Sequence, residues 1–140
     1  MVKSANQINS GDRLPAKGKE VIVYGLERHS GVIDGIIREL QLEEAAFAVK
    51  LMLTEAVTNA YNHGNGCCDT KPITIRYSLT DGLLSVQVED EGGGIDPHFL
   101  SDPMVGEDLL AESGRGLYLI RCFADEVLAD SRGITMVKRI

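Results

Sequence analysis

The stretch PITIRYSLTDGLLSVQVEDEGGGI, residues 72–95, decides how the rest of the chain is read. Ile73, Ile75, Tyr77 and Leu79 alternate with Thr74, Arg76 and Ser78, which predicts a strand with one buried face. Thr80-Asp81-Gly82 supplies a hairpin turn, and Leu83–Glu89 returns as the partner strand. Leu84, Val86 and Val88 share one parity, and Asp90 falls on it as well. A carboxylate at the end of a buried face needs a partner. The amino group of an adenine would serve, with Gly92 and Gly94 letting the backbone approach the base. The plainer alternative is a surface turn, because Asp and Gly both favour turns.

Working upstream, Glu20–Tyr24 reads as a strand ended by Gly25. Val32, Ile33, Ile36, Ile37 and Leu40 recur at helical spacing from about Ser30 to Leu40. Gln41 and Leu42 form a joint before a longer helix, Glu43 to His63. Its two leading acids suit the positive end of the helix dipole, and Gly64 and Gly66 suit its stop. Downstream, Asp96–Ser113 holds Pro97, Pro103 and Gly106 and lacks a period, the profile of a functional loop such as a lid. A helix follows from about Arg115 to Ala124. Strands near Glu126–Ala129 and Thr135–Ile140 then flank a turn at Gly133. Residues 1–18 are polar, with Gly11, Pro15 and Gly18, and read as a flexible arm before a single domain at 19–140. The expected fold class is α/β in the α+β sense. It is a two-layer sandwich with a mixed, mostly antiparallel sheet and helices on one face.

With 140 residues the chain can bury a full core. Its net charge of −7 argues against direct, sequence-independent nucleic-acid binding, which needs a basic face. No apolar run is long enough for a membrane helix, and the first 19 residues lack a signal peptide's apolar core, so a cytoplasmic protein away from membranes is expected. Cys67, Cys68 and Cys122 are odd in number and make no disulfide framework. His63, Cys67 and Cys68 lack the usual zinc spacing, and no fourth ligand is evident. The thiols read as reduced and structurally incidental.

On a wheel of 100° per residue, Ala46, Val49, Leu53, Val57 and Ala60 of the long helix gather on one side. Glu55, Asn59 and Asn62 gather opposite, in a stripe shared with Ala48 and Leu51. A solvated outer face is one reading. The stripe contains no Lys or Arg, however, and a carboxylate one turn from amide oxygens suits a general base beside a hydrated Mg²⁺. His63, off to one side, suits a helix C-terminal cap. Gly114-Arg115-Gly116 at a helix start would offer free N–H groups to phosphates, with Arg115 adding a charged contact; a flexible hinge is the alternative. GxGxxG is absent, which disfavours a Rossmann dinucleotide site, and without GxxxxGK[ST] this is no P-loop protein.

In this order, the three segments resemble the GHKL (Bergerat-fold) ATPases, and more closely the bacterial anti-sigma-factor serine/threonine kinases. Glu55-Ala56-Val57-Thr58-Asn59-Ala60 with His63-Gly64 looks like the N box. Asp90-Glu91-Gly92-Gly93-Gly94-Ile95 looks like the DxGxGI box, and Gly114-Arg115-Gly116-Leu117 like the second glycine box. The likeness covers roughly residues 20–140.

The resemblance implies a Bergerat ATP-binding fold with ATP and Mg²⁺. Glu55 would be the catalytic base, Asn59 the metal ligand and Asp90 the adenine acceptor. The remaining nucleotide contacts would come from Asn62, His63, Gly92, Gly94, Ile95, Gly114, Arg115, Gly116 and Leu117, with residues 96–113 as a short lid. Thr135 is the candidate from the final strand, although the family's Gly-Thr is here Gly133-Ile134-Thr135. The function implied is phosphorylation of an anti-sigma-factor antagonist within a partner switch that can include a sigma factor, by a homodimer. The alternative is a non-catalytic nucleotide-sensing module that sequesters a sigma factor or other regulator.

Overall fold

The computed structural model describes residues 18–92 and 112–140, with side chains from residue 116 onward in the second stretch. The elements run β1 (Lys19–Tyr24), α1 (His29–Glu39), a 3₁₀ turn (Glu43–Ala45), α2 (Ala46–Asn59), a π turn (Ala60–Gly64), β2 (Pro72–Thr80), β3 (Leu83–Glu89), α3 (Glu112–Phe123), β4 (Glu126–Ala129) and β5 (Gly133–Arg139). Residues 1–17 of the expected arm, residues 96–111 of the expected lid, Gly94 and Ile95 lie outside the described residues, and the last two lid positions, 112 and 113, instead open α3.

The alternating pattern of residues 72–89 builds the centre of a five-stranded sheet ordered β1-β2-β3-β5-β4. Asp81 and Gly82 both take positive φ, 54° and 76°, the backbone of a two-residue hairpin turn whose twist matches the strands. That turn fixes the register Thr80↔Leu83 through Thr74↔Glu89. The sheet was expected to be mixed but mostly antiparallel, and all four pairings among the described strands are antiparallel.

Pleat alternation then sorts the faces. Val23, Ile73, Ile75, Tyr77, Leu84, Val86, Val88, Ile134 and Met136 are buried in one core with Ile33, Ile36 and Ile37 of α1 and Val49, Met52, Leu53, Ala56 and Val57 of α2. Each such aliphatic side chain contributes about 1.5–3 kcal/mol by leaving water. The other face carries Ile22, Arg76, Gln87, Glu89 and Thr135, none of them buried, so the helices cover one side of the sheet. The architecture is therefore the expected two-layer α+β sandwich.

Two boundaries differ from the expectation in ways that matter for the site. The long helix starts as a 3₁₀ turn, after Gln41 breaks the chain direction at φ 58°, and ends as a π turn. The last helix begins at Glu112, not near Arg115, so Gly116 lies inside it. A smaller difference lies before β5. Asp130 makes that turn by accepting the N–H groups of Arg132 (2.8 Å) and Gly133 (3.2 Å), and Gly133 is the first residue of the strand rather than the turn itself.

Candidate functional site

Helix α2 carries Glu55 and Asn59 on the side that faces α3, since the two helices pack against each other. The contact is intimate at Gly116. A Cβ there would sit 2.7 Å from Glu55 Oε1 and within 3.3–3.5 Å of the Asn59 amide. A side chain at this position would have to push the Glu55 carboxylate aside. Leu117, next along, is buried in the core and anchors the helix. The first helix box and the second glycine box are thus brought together, as expected. The role of Gly116 differs from the expected one. In the second turn of α3 it can donate its N–H within the helix, so what it provides is space; Gly114 and Arg115 lie in the first turn, where N–H groups are unpaired within a helix.

Asn59 is 4 % exposed, and its amide nitrogen is buried without a hydrogen-bond partner among the described residues. A buried, unsatisfied amide costs about 1–3 kcal/mol, which argues for a ligand at this point. The amide can present either end, because its oxygen and nitrogen are assigned from their surroundings. Glu55, one turn before, is partly exposed, so a substrate can reach it.

The second cluster forms where α2 ends. Asn65 N–H bonds to Ala60 O at 2.7 Å, the i→i+5 spacing of a π turn. Such turns concentrate at functional sites and rotate less per residue than an α-helix. Asn62 therefore falls farther from Asn59 than a uniform helical wheel places it. Its Oδ1 instead accepts from Cys67 Sγ at 3.6 Å, and His63 is exposed.

Asp90 is 7 % exposed at the end of the buried strand face, as its parity predicts. Its backbone N–H bonds to Arg132 O at 3.0 Å, and its Oδ1 accepts Gly92 N–H at 2.8 Å. The turn reading of this segment and the buried-carboxylate reading both hold. Gly64 lies against the Asp90 carboxylate so closely that a Cβ would overlap it, and a Cβ on Gly92 would overlap the Gly64 carbonyl. Thr135 is on the opposite face of the sheet, across from Gln87 and Leu128, and is not part of the cluster. Strand alternation gives the inward position to Ile134.

Asn65 was not singled out from the sequence. Buried at 2 % exposure, it donates to the carbonyls of Lys71 and Pro72 (both 3.2 Å) and accepts the Glu91 N–H at 2.8 Å. It ties the end of the helix to the turn after β3. An Asn directly after the His-Gly of the first box was the available signal.

A family model described as a histidine kinase-like ATPase domain matches residues 32–138. The chain belongs to this family. Family membership covers nearly all the described elements. Among curated relatives, an Anti-sigma F factor of Clostridium perfringens is 34% identical over 86 residues, 56% of this chain and 58% of the relative. Another, from Geobacillus stearothermophilus, is 33% identical over 90 residues, 59% of this chain and 58% of the relative. A Serine-protein kinase RsbW of Listeria monocytogenes is 32% identical over 132 residues, 89% of this chain and 82% of the relative. The first of these matches therefore spans little more than half the relative's length.

In this family setting, Asn59 fits a hard divalent cation such as Mg²⁺, which takes oxygen ligands, through an amide oxygen turned toward the unsatisfied position. No helix among the described residues is long and apolar enough to cross a membrane.

Proposed function

We propose that this protein is an ATP-dependent protein serine/threonine kinase of the anti-sigma type, which phosphorylates an anti-sigma-factor antagonist and releases or captures a sigma factor accordingly. The observation that carries this reading is the contact of Gly116 with Glu55 and Asn59, which supports a single site built from both boxes. The kinase name of the Listeria relative supports the chemistry.

In this reading the adenine amino group donates to Asp90, and the triphosphate runs toward the first turn of α3, where Gly114 and Arg115 present N–H groups. Mg²⁺, when bound through Asn59, supplies charge neutralisation for the phosphates. Glu55 accepts the proton of the partner's Ser or Thr hydroxyl. That oxygen bonds to the γ-phosphorus as the bond from phosphorus to the β,γ-bridging oxygen breaks, leaving ADP. Residues 96–111, up to the start of α3, would act as the lid, and Gly94 and Ile95 would complete the adenine side. We place the protein in the cytoplasm, as a homodimer. Exposed Ile22, Tyr24 and Leu128 on the open sheet face favour self-association.

A second reading is a nucleotide-sensing module that sequesters its partner without phosphate transfer. The relatives whose printed name is Anti-sigma F factor favour it. The experiment that separates the two is capture of partners on the immobilised protein, elution with ATP or ADP, and phosphosite mapping. A small protein phosphorylated on Ser or Thr supports the kinase. Partners eluted by nucleotide yet unmodified support the sequestering module.

A further inference from the structure

Cys67 and Cys68 sit in the loop between the π turn and β2, and the reading above gives them no role. Both thiols are free; Cys67 is exposed and Cys68 half-buried. Cys67 holds a left-handed backbone, φ 61°, with its N–H bonded to Tyr61 O at 2.7 Å. The two sulfurs face different partners. Cys67 Sγ donates to Asn62 Oδ1 at 3.6 Å, while Cys68 Sγ lies 3.2 Å from Thr70 Oγ1. No group of three or more His, Cys, Asp and Glu residues able to hold a metal ion occurs among the described residues.

We propose that Cys67 and Cys68 form a peroxide-sensitive dithiol whose oxidation loosens the turn that carries Asp90. The Cys68 thiolate attacks a hydroperoxide, breaking its O–O bond. The sulfur takes one oxygen and is oxidised to a sulfenic acid, while the peroxide is reduced and its other oxygen leaves as hydroxide. Cys67 sulfur then bonds to Cys68 sulfur, the S–O bond breaks, and the departing oxygen leaves as water with the Cys67 proton.

The environment orders these steps. The Thr70 hydroxyl beside Cys68, aided by the loop backbone and the Lys71 charge, holds that thiol below the usual range. More of it is therefore thiolate, the form that reacts. Cys67, exposed and next in sequence, resolves the sulfenic acid once its thiol leaves Asn62 Oδ1. Joining the sulfurs turns both away from their partners, so the contacts to Asn62 and Thr70 are lost and the intervening peptide must rotate. Asn65 is two residues upstream and holds the Glu91 N–H next to Asp90. The oxidation signal therefore reaches the proposed adenine contact through one side chain. Only this last effect, on nucleotide, rests on the proposed function.

The test uses Cys122→Ser, which leaves these two as the only thiols. After hydrogen peroxide, mass spectrometry of the peptide spanning both cysteines should show the loss of two hydrogens, restored by dithiothreitol. In Cys67→Ser, dimedone should trap the sulfenic acid on Cys68. Unreacted thiols, oxygen added without loss of hydrogen, or cross-linked chains would overturn the dithiol. Hydrogen exchange at the Glu91 amide should quicken on oxidation, and an unchanged rate would overturn the coupling. ATP affinity measured alongside should weaken about ten-fold in the oxidised form, a typical coupling between sites. If reduced protein bound no ATP, the proposed function would fail, while the thiol and exchange results would still stand.

Discussion

Asn65 Oδ1 accepts the Glu91 N–H at 2.8 Å, a side chain directly after the first helix box holding the backbone of the glycine box that follows β3. The same amide donates to Lys71 O and Pro72 O, so both of its ends are engaged. Asn65→Ala should cost about 2 kcal/mol of stability, because it strips partners from buried backbone groups. Urea unfolding measures this. Asn65→Asp keeps an acceptor for Glu91 and loses the donor, so its cost should be of similar size while Glu91 stays protected from exchange.

Gly116→Ala should separate function from folding. A glycine inside a helix costs about 1 kcal/mol relative to alanine, so this position would gain stability if space allowed. The added Cβ would lie 2.7 Å from Glu55 Oε1 and must displace it. Stability should therefore change by less than about 1 kcal/mol, while phosphate transfer falls by at least about ten-fold, since small misplacements of a catalytic group are costly. Full activity in a well-folded Gly116→Ala would show that Glu55 is not held in a critical position.

The open face of the sheet carries a charge network that predicts an acid dependence. Glu89 meets both Arg76 and Arg132, and Arg76 also meets Glu20 at 2.9 Å. Hydrogen bonding by Arg76 holds the Glu89 carboxyl below its usual value, against a smaller opposing effect of burial. A carboxyl depressed on folding adds stability above its unfolded value, and that stability is lost as pH falls through the folded value. Stability should thus decline below about pH 4. Glu89→Gln should cost about 0.5–1 kcal/mol at pH 7, because these groups are partly solvent-screened, and almost nothing at pH 2. Denaturant titrations at the two pH values give the answer. An equal cost at both would assign the loss to packing rather than charge.

The hairpin was legible because strand alternation and the Asp-Gly turn are local signals that agree. Asp90 followed from the same alternation. The angle between Glu55 and Asn62 was not legible, because the wheel assumes one helical period and Ala60–Gly64 changes it. Nothing in the pattern of residues 60–64 announces a π turn. Gly116 read as a helix-start glycine because a glycine kept for close approach looks the same in sequence as one kept for a turn. Asn65 was missed because its three partners come from segments 6, 7 and 26 residues away.

Asp90→Asn tests the adenine contact with little structural confusion. Asparagine can still accept the Gly92 N–H through Oδ1, so the turn should survive. What changes is the charge offered to the base. ATP affinity should fall by about 1.5–3 kcal/mol, the range for hydrogen bonds to charged groups. Calorimetry giving equal affinities for both proteins would remove Asp90 from the nucleotide site.

The central claim is that Glu55 takes the proton in phosphate transfer, and Glu55→Gln tests it most directly. Glutamine keeps the shape beside Gly116 and Asn59 but cannot accept the proton. Single-turnover transfer of labelled phosphate from ATP to the captured partner should fall by roughly 10²–10⁴, while ATP affinity stays within about a few fold. Transfer by Glu55→Gln at the wild-type rate would contradict the account.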